Sequence, residues 1–150
     1  MKKIVLLFAL LLSLSASAQS VMGTWKRMGA IVTNKDGSMM DMMAMMEKMM
    51  PCTNNITYAF LASGIQRTTI PDDCQKRMGD MAKQFMGDAR YKLRGNQLTI
   101  IPAAITKLPV VTYTVTTTGK TMTWVMDADA QLGKPNKGNV RSILMSYQRL

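Results

Sequence analysis

Histidine is absent from this 150-residue chain, and acids are scarce, 9 Asp+Glu against 19 Lys+Arg. Without an imidazole there is no Ser-His-Asp triad, no Cys-His pair, no zinc site of the usual His-containing kinds and no imidazole switch near pH 7. Gly-X-Ser-X-Gly is missing too, as is any Gly-rich loop that would cradle a phosphate. The close acid pairs, Asp72-Asp73 and Asp127 with Asp129, are explained by turn and loop positions. The two cysteines, Cys52 and Cys74, are too far apart for a Cys-X-X-Cys redox motif. The chain therefore reads as non-enzymatic, with no cofactor. Long apolar runs are also lacking. Ile4 to Leu12 is too short to span a bilayer, and no other segment reaches transmembrane length. With 47% apolar residues and a mean hydropathy near zero, the composition fits one globular domain.

What is present begins with an address. Lys2 and Lys3, the apolar run and Ala16-Ser17-Ala18 predict a secretory signal peptide over residues 1–18, ahead of one domain over 19–150. Gln19, not a cysteine, follows the cleavage point, so a soluble product in the periplasm or the medium is expected rather than a lipoprotein. Two of the 19 cations lie in the signal, leaving 17 against 9 acids, a net of +8. These charges are scattered as Lys26-Arg27, Lys76-Arg77, Lys92 with Arg94, and Lys134 with Lys137, and read as a solvated surface. Nucleic acid is excluded as a partner by export and by the lack of a basic run; attraction to anionic envelope surfaces is the weaker alternative. In an oxidising compartment Cys52 and Cys74 predict one disulfide, whose loop would stabilise by about 3 kcal/mol on the chain-entropy argument.

Short alternating segments dominate the mature chain. Strands are expected at Val21–Val32, Asn55–Leu61, Ile65–Ile70, Ala89–Arg94, Gln97–Ile101, Val110–Thr117, Lys120–Asp127 and Val140–Arg149, mostly joined by short turns containing Gly. A helix is expected at Cys74–Met86, and a polar loop at Leu132–Gly138. Eight strands so joined predict an all-β fold, an antiparallel up-and-down barrel or a sandwich. Ile56, Tyr58 and Phe60 share one face, as do Val111, Tyr113 and Val115, then Met122, Trp124 and Met126, and then Ile143, Met145 and Tyr147. An eight-stranded interior can be filled by side chains or left open for one small ligand.

Gly23-Thr24-Trp25 on the first strand and Arg149 near the end of the last resemble the calycin pattern, and more closely the small exported lipocalin-like domains of bacteria. Tyr58-Ala59-Phe60 with Ser63-Gly64, and Leu93 through Ile100, resemble hairpins of the same domains. The resemblance implies an eight-stranded barrel in which Gly23, Trp25 and Arg149 are structural, the guanidinium stacking on the indole for roughly 0.5–2 kcal/mol. It covers residues 21–150. Two insertions depart from it: a methionine tract between strands one and two, and the helix after strand three.

Eight methionines occupy the twelve positions from Met39 to Met50, before Pro51. Met favours helix, Pro51 is a stop, and a helix here would be methionine over most of its circumference. Such a surface wants cover. The first expectation is a lid, with Met43 and Met46 above a cavity walled by Tyr58, Phe60, Tyr113, Trp124, Met126 and Tyr147 that holds a small apolar or amphipathic ligand. The second is a filled barrel in which the tract serves a protein interface. The third is soft-metal capture, Cu(I) held by the thioethers of Met39, Met42, Met43, Met46 and Met49, with Met78 and Met81 as further ligands. Sacrificial oxidation is compatible with the last two.

Overall fold

The computed structural model describes residues 20–80, 86–103, 109–132 and 138–150. The predicted signal peptide, Met81 and the end of the second predicted helix, and the core of the polar loop at 133–137 lie outside the described residues. Nine strands form one antiparallel sheet: β1 (Gly23–Asn34), β2 (Met39–Asp41), β3 (Thr57–Phe60), β4 (Ile65–Thr69), β5 (Ala89–Arg94), β6 (Gln97–Pro102), β7 (Val111–Thr118), β8 (Thr121–Asp127) and β9 (Val140–Arg149). From β3 onward each strand pairs with the next in sequence, and β9 returns to pair with β1. The result is a closed eight-stranded barrel, with β2 a short addition to the far half of β1.

The β1–β9 seam runs from Trp25 opposite Arg149 to Asn34 opposite Val140 and contains an irregularity between Arg27 and Gly29. That extra residue changes which parity faces inward. Trp25 is buried before it, while Ala30 and Val32 are buried after it and Met28 is turned out, 55% exposed. Gly29 is needed at this point, because a Cβ would stand 2.8 Å from Ser146 Oγ.

Elsewhere period-two alternation governs burial. Ile56, Tyr58 and Phe60 of the β3 region, Val115 of β7, Met122 and Trp124 of β8, and Met145 and Tyr147 of β9 are buried in one core with Trp25 and Leu98. Each large apolar side chain so buried contributes about 1.5–3 kcal/mol before entropy is counted. At the start of β1, Trp25 is fully enclosed. Its indole N–H donates to Val21 O at 2.7 Å, and Arg149 Cζ lies 4.7 Å from the ring centre. An Arg149 terminal amino group donates to Met22 O at 3.1 Å. Gly23 has φ +121°, a conformation that disfavours any other residue and brings its backbone under the Arg149 guanidinium.

The methionine tract divides between two elements. Asn34 to Ser38 forms a turn that places Met39 opposite Thr33, so Met39–Asp41 is strand where a helix was expected. Asp41 then caps α1 (Met42–Met49), its carboxylate accepting the Ala44 N–H at 3.0 Å. A 3-10 turn at Pro51–Asn55 follows and carries Cys52. After β4, α2 (Asp72–Met78) starts two residues earlier than predicted, with Asp72 and Asp73 in its first turn and Lys76 and Arg77 in its last, complementing the helix dipole. Cys74 on α2 is bonded to Cys52 with Cα atoms 5.2 Å apart, and Met78 packs on the pair as a small second core. A five-residue helix, α3 (Ala128–Leu132), lies between β8 and β9. Among the described residues no helix is long and apolar enough to cross a membrane.

Candidate functional site

Every strand of the barrel contributes to a single interior cavity of about 230 Å³, bordered at its rim by Met86, Gly87 and Asp88 before β5. Tyr58, Tyr113, Trp124 and Tyr147, four of the expected wall residues, line it. Their rings form a continuous set: Trp124 lies 4.7 Å from Tyr147 and 5.1 Å from Tyr113, and Tyr147 meets Tyr58 edge to face at 5.8 Å. Such pairs add about 0.5–1.5 kcal/mol each beyond burial, which fixes the wall's shape.

The other four expected residues do not line the cavity. Phe60 is buried behind the wall, edge-on to Trp124 and Tyr91, and Met126 is half-buried near the end of β8. Met43 and Met46 sit on α1, which packs along β1 and the 3-10 turn. Met42 and Met43 lean on the core, whereas Met39 and Met49 are about three-quarters exposed. The Met39/Met42 spacing is interrupted by the change from β2 to α1, so these thioethers do not share one helical face. Cys52 and Cys74 form the expected disulfide, and no group of three or more Asp, Glu, His or Cys among the described residues is arranged to hold a metal.

Sequence reasoning missed Arg27, Gln66 and Met145 on the wall. Arg27 is the important omission, because as half of Lys26-Arg27 it was assigned to the solvated surface. Its partner in that pair is indeed outside, Lys26 Nζ donating to Asn55 Oδ1 at 3.3 Å. Arg27 instead projects inward, on the same face as Trp25, two residues before it. That spacing was the available signal.

The Arg27 guanidinium has ring faces for neighbours, with Cζ 5.0 Å from the centre of Tyr58 and 5.8 Å from Tyr147. Its Nε is sealed from solvent without a hydrogen-bond partner, and so is Trp124 Nε1. An unmade hydrogen bond of this kind costs about 1–3 kcal/mol. Among the described residues no carboxylate comes within ion-pair distance of Arg27. Asp88, the one acid at the cavity, is half-exposed at the rim, accepts the Thr68 N–H at 3.1 Å and lies 3.8 Å from Arg67 Nε.

Protonation follows from this crowding. Burial opposes the charge on Arg27, but the phenol oxygens of Tyr147, Tyr58 and Tyr113 outweigh it, Tyr147 also through a side-chain hydrogen bond, and the guanidinium stays charged. Burial pushes the Tyr147 and Tyr113 phenols above their ordinary range, with Arg27 pulling the other way. At neutral pH Arg27 thus carries a fixed positive charge beside the neutral phenols of Tyr147 and Tyr113. A second hollow, about 320 Å³, is an open cleft on α2 bordered by Asp72, Gln75, Lys76, Gly79 and Asp80. Among the described residues the wall offers the Arg27 guanidinium, the phenols of Tyr58, Tyr113 and Tyr147 and the Gln66 amide. Compared with known proteins, the chain matches no protein family, no curated protein and no solved structure.

Proposed function

We propose that this protein is an exported, lipocalin-like barrel of the calycin type that binds a small amphipathic molecule without transforming it. The observation that carries the reading is the 230 Å³ cavity inside a closed barrel, walled by aromatic rings and reached by a few polar groups. Binding sites have this composition, and the volume falls just below the roughly 300–1,000 Å³ of pockets for drug-sized ligands. The occupant is correspondingly small. Export is supported by the signal-like first 18 residues and by the disulfide, which suits an oxidising compartment.

The test is to purify the protein from its own compartment, extract it with organic solvent and identify what is released by mass spectrometry. A small molecule recovered near one per protein is expected. Recovery of nothing, combined with no response of Trp124 fluorescence to a panel of small amphiphiles, would overturn the reading.

A second role is favoured by the exposed thioethers of Met39, Met40, Met45 and Met49, which lie off the cavity. We propose for them soft-metal capture or oxidant scavenging. Titration with Cu(I) against a competing chelator should show affinity that disappears when these four become leucine. Equal affinity in that variant would remove the metal role.

A further inference from the structure

We infer that the cavity selects a small monoanionic amphiphile, a carboxylate on a medium-length aliphatic or single-ring body, and that Arg27 is the residue that receives its charge. This rests on the cavity's being a binding site.

Arg27 is always protonated, and its five N–H donors form a rigid fork suited to two carboxylate oxygens. Here the fork faces the Tyr58 and Tyr147 rings and has the Tyr147 hydroxyl as a side-chain hydrogen-bond partner, but among the described residues it meets no carboxylate, and its Nε has no partner. Barrels with a buried arginine ordinarily pair it, since an uncompensated interior charge is strongly unfavourable. The only carboxylate among the described residues of the cavity, Asp88, is held at the rim by Thr68 and Arg67. Arg149 in the same seam also has a buried Nε without a partner, but its terminal amino group donates to the Met22 carbonyl.

Valence and size come from the remaining wall. Among the described residues Arg27 is the only cation lining the cavity, so one negative charge is matched and a dianion would carry a second charge with no counterpart there. The hydroxyls of Tyr58, Tyr113 and Tyr147 and the amide of buried Gln66 can complete the hydrogen bonding of an acceptor-rich head. Ile100, Pro102, Met86 and Met145 supply apolar surface for its body. The 230 Å³ volume limits that body to a short chain or one ring.

The experiment compares three ligands of equal length, octanoate, octanol and octylammonium, on the intact protein by calorimetry and by Trp124 fluorescence. Octanoate should bind at least about 10-fold more tightly than octanol, as a charge-assisted hydrogen bond requires, and octylammonium should not bind. Phenyl phosphate as a dianion should bind more weakly than benzoate. In Arg27→Met the octanoate-to-octanol ratio should fall to about one, and Arg27→Lys should keep part of it. Octanol binding as tightly as octanoate to the unmodified protein would overturn the anion selectivity while leaving the cavity as a binding site. Binding of none of these ligands would overturn both. The unmodified protein decides the selectivity even if Arg27→Met fails to fold, and an unchanged ratio in a folded Arg27→Met would remove Arg27 from the role.

Discussion

Two arginines lie against aromatic rings on the β1–β9 seam, on adjacent same-face rungs: Arg149 opposite Trp25, and Arg27 opposite Tyr147. Arg149 stacks on an indole and donates through a terminal amino group to a backbone carbonyl, although its Nε is buried without a partner. Arg27 stacks on phenols, has the Tyr147 hydroxyl as a side-chain partner and opens on a cavity, and its Nε too is buried without a partner. The same residue type and the same kind of ring contact thus occur in two settings. Arg149 reaches a main-chain carbonyl, whereas Arg27 borders the cavity. Under the proposed function, that opening is where a ligand's charge would meet Arg27.

The comparison can be broken first at the Trp25–Arg149 clamp. Trp25→Ala should cost about 3–5 kcal/mol in urea unfolding, since it empties the most enclosed large side chain of the seam. A mild loss would mean that the seam is not what keeps the barrel shut. Replacing Cys52 and Cys74 together by serine should cost about 3 kcal/mol, for a loop of 22 residues, and leave ligand affinity unchanged because neither lines the cavity. The sharpest contrast is between the arginines themselves. Arg149→Met should destabilise the ligand-free protein by about 1–2 kcal/mol, whereas Arg27→Met should be neutral or stabilising. Equal losses at the two positions would make Arg27 a second clamp.

The smallest effect near neutrality, growing only in alkali, comes from the phenols around Arg27. The Tyr147 pKa is raised in the folded protein, chiefly by burial, above the ordinary value of about 10 that it regains on unfolding. A group with a raised folded pKa contributes stability that is complete below the unfolded pKa and is lost as pH rises toward the folded one. Urea midpoints should therefore hold steady up to about pH 9 and decline beyond pH 10, with a shallower decline in Tyr147→Phe.

Strand positions were legible in the sequence because most of the barrel is built from half-buried strands, in which alternation and Gly-containing turns are direct consequences of one wet and one dry face. Four aromatic wall residues follow from the same alternation, and the Cys52–Cys74 pairing from two cysteines in a chain read as exported. Arg27 was hidden for two reasons. It adjoins Lys26, which really is outside, and the irregularity at Met28 breaks the parity that would have linked Arg27 to Ala30 and Val32. The change from strand to helix at Asp41 was hidden because methionine tolerates both, leaving the decision to a cap and a turn. Phe60 and Met126 alternate correctly but miss the cavity, because parity gives the side of a strand and not the depth along it.

The closure of β9 onto β1 also has a meaning in time. The first and last strands of the barrel are separated by more than a hundred residues, so until β9 is available the growing sheet keeps two unpaired edges. Contacts this distant in sequence form slowly. The interval between emergence of Trp25 and arrival of Arg149 is then the period when the chain is most open to pairing with another copy of itself, and a chain shortened before β9 should aggregate rather than form a smaller barrel.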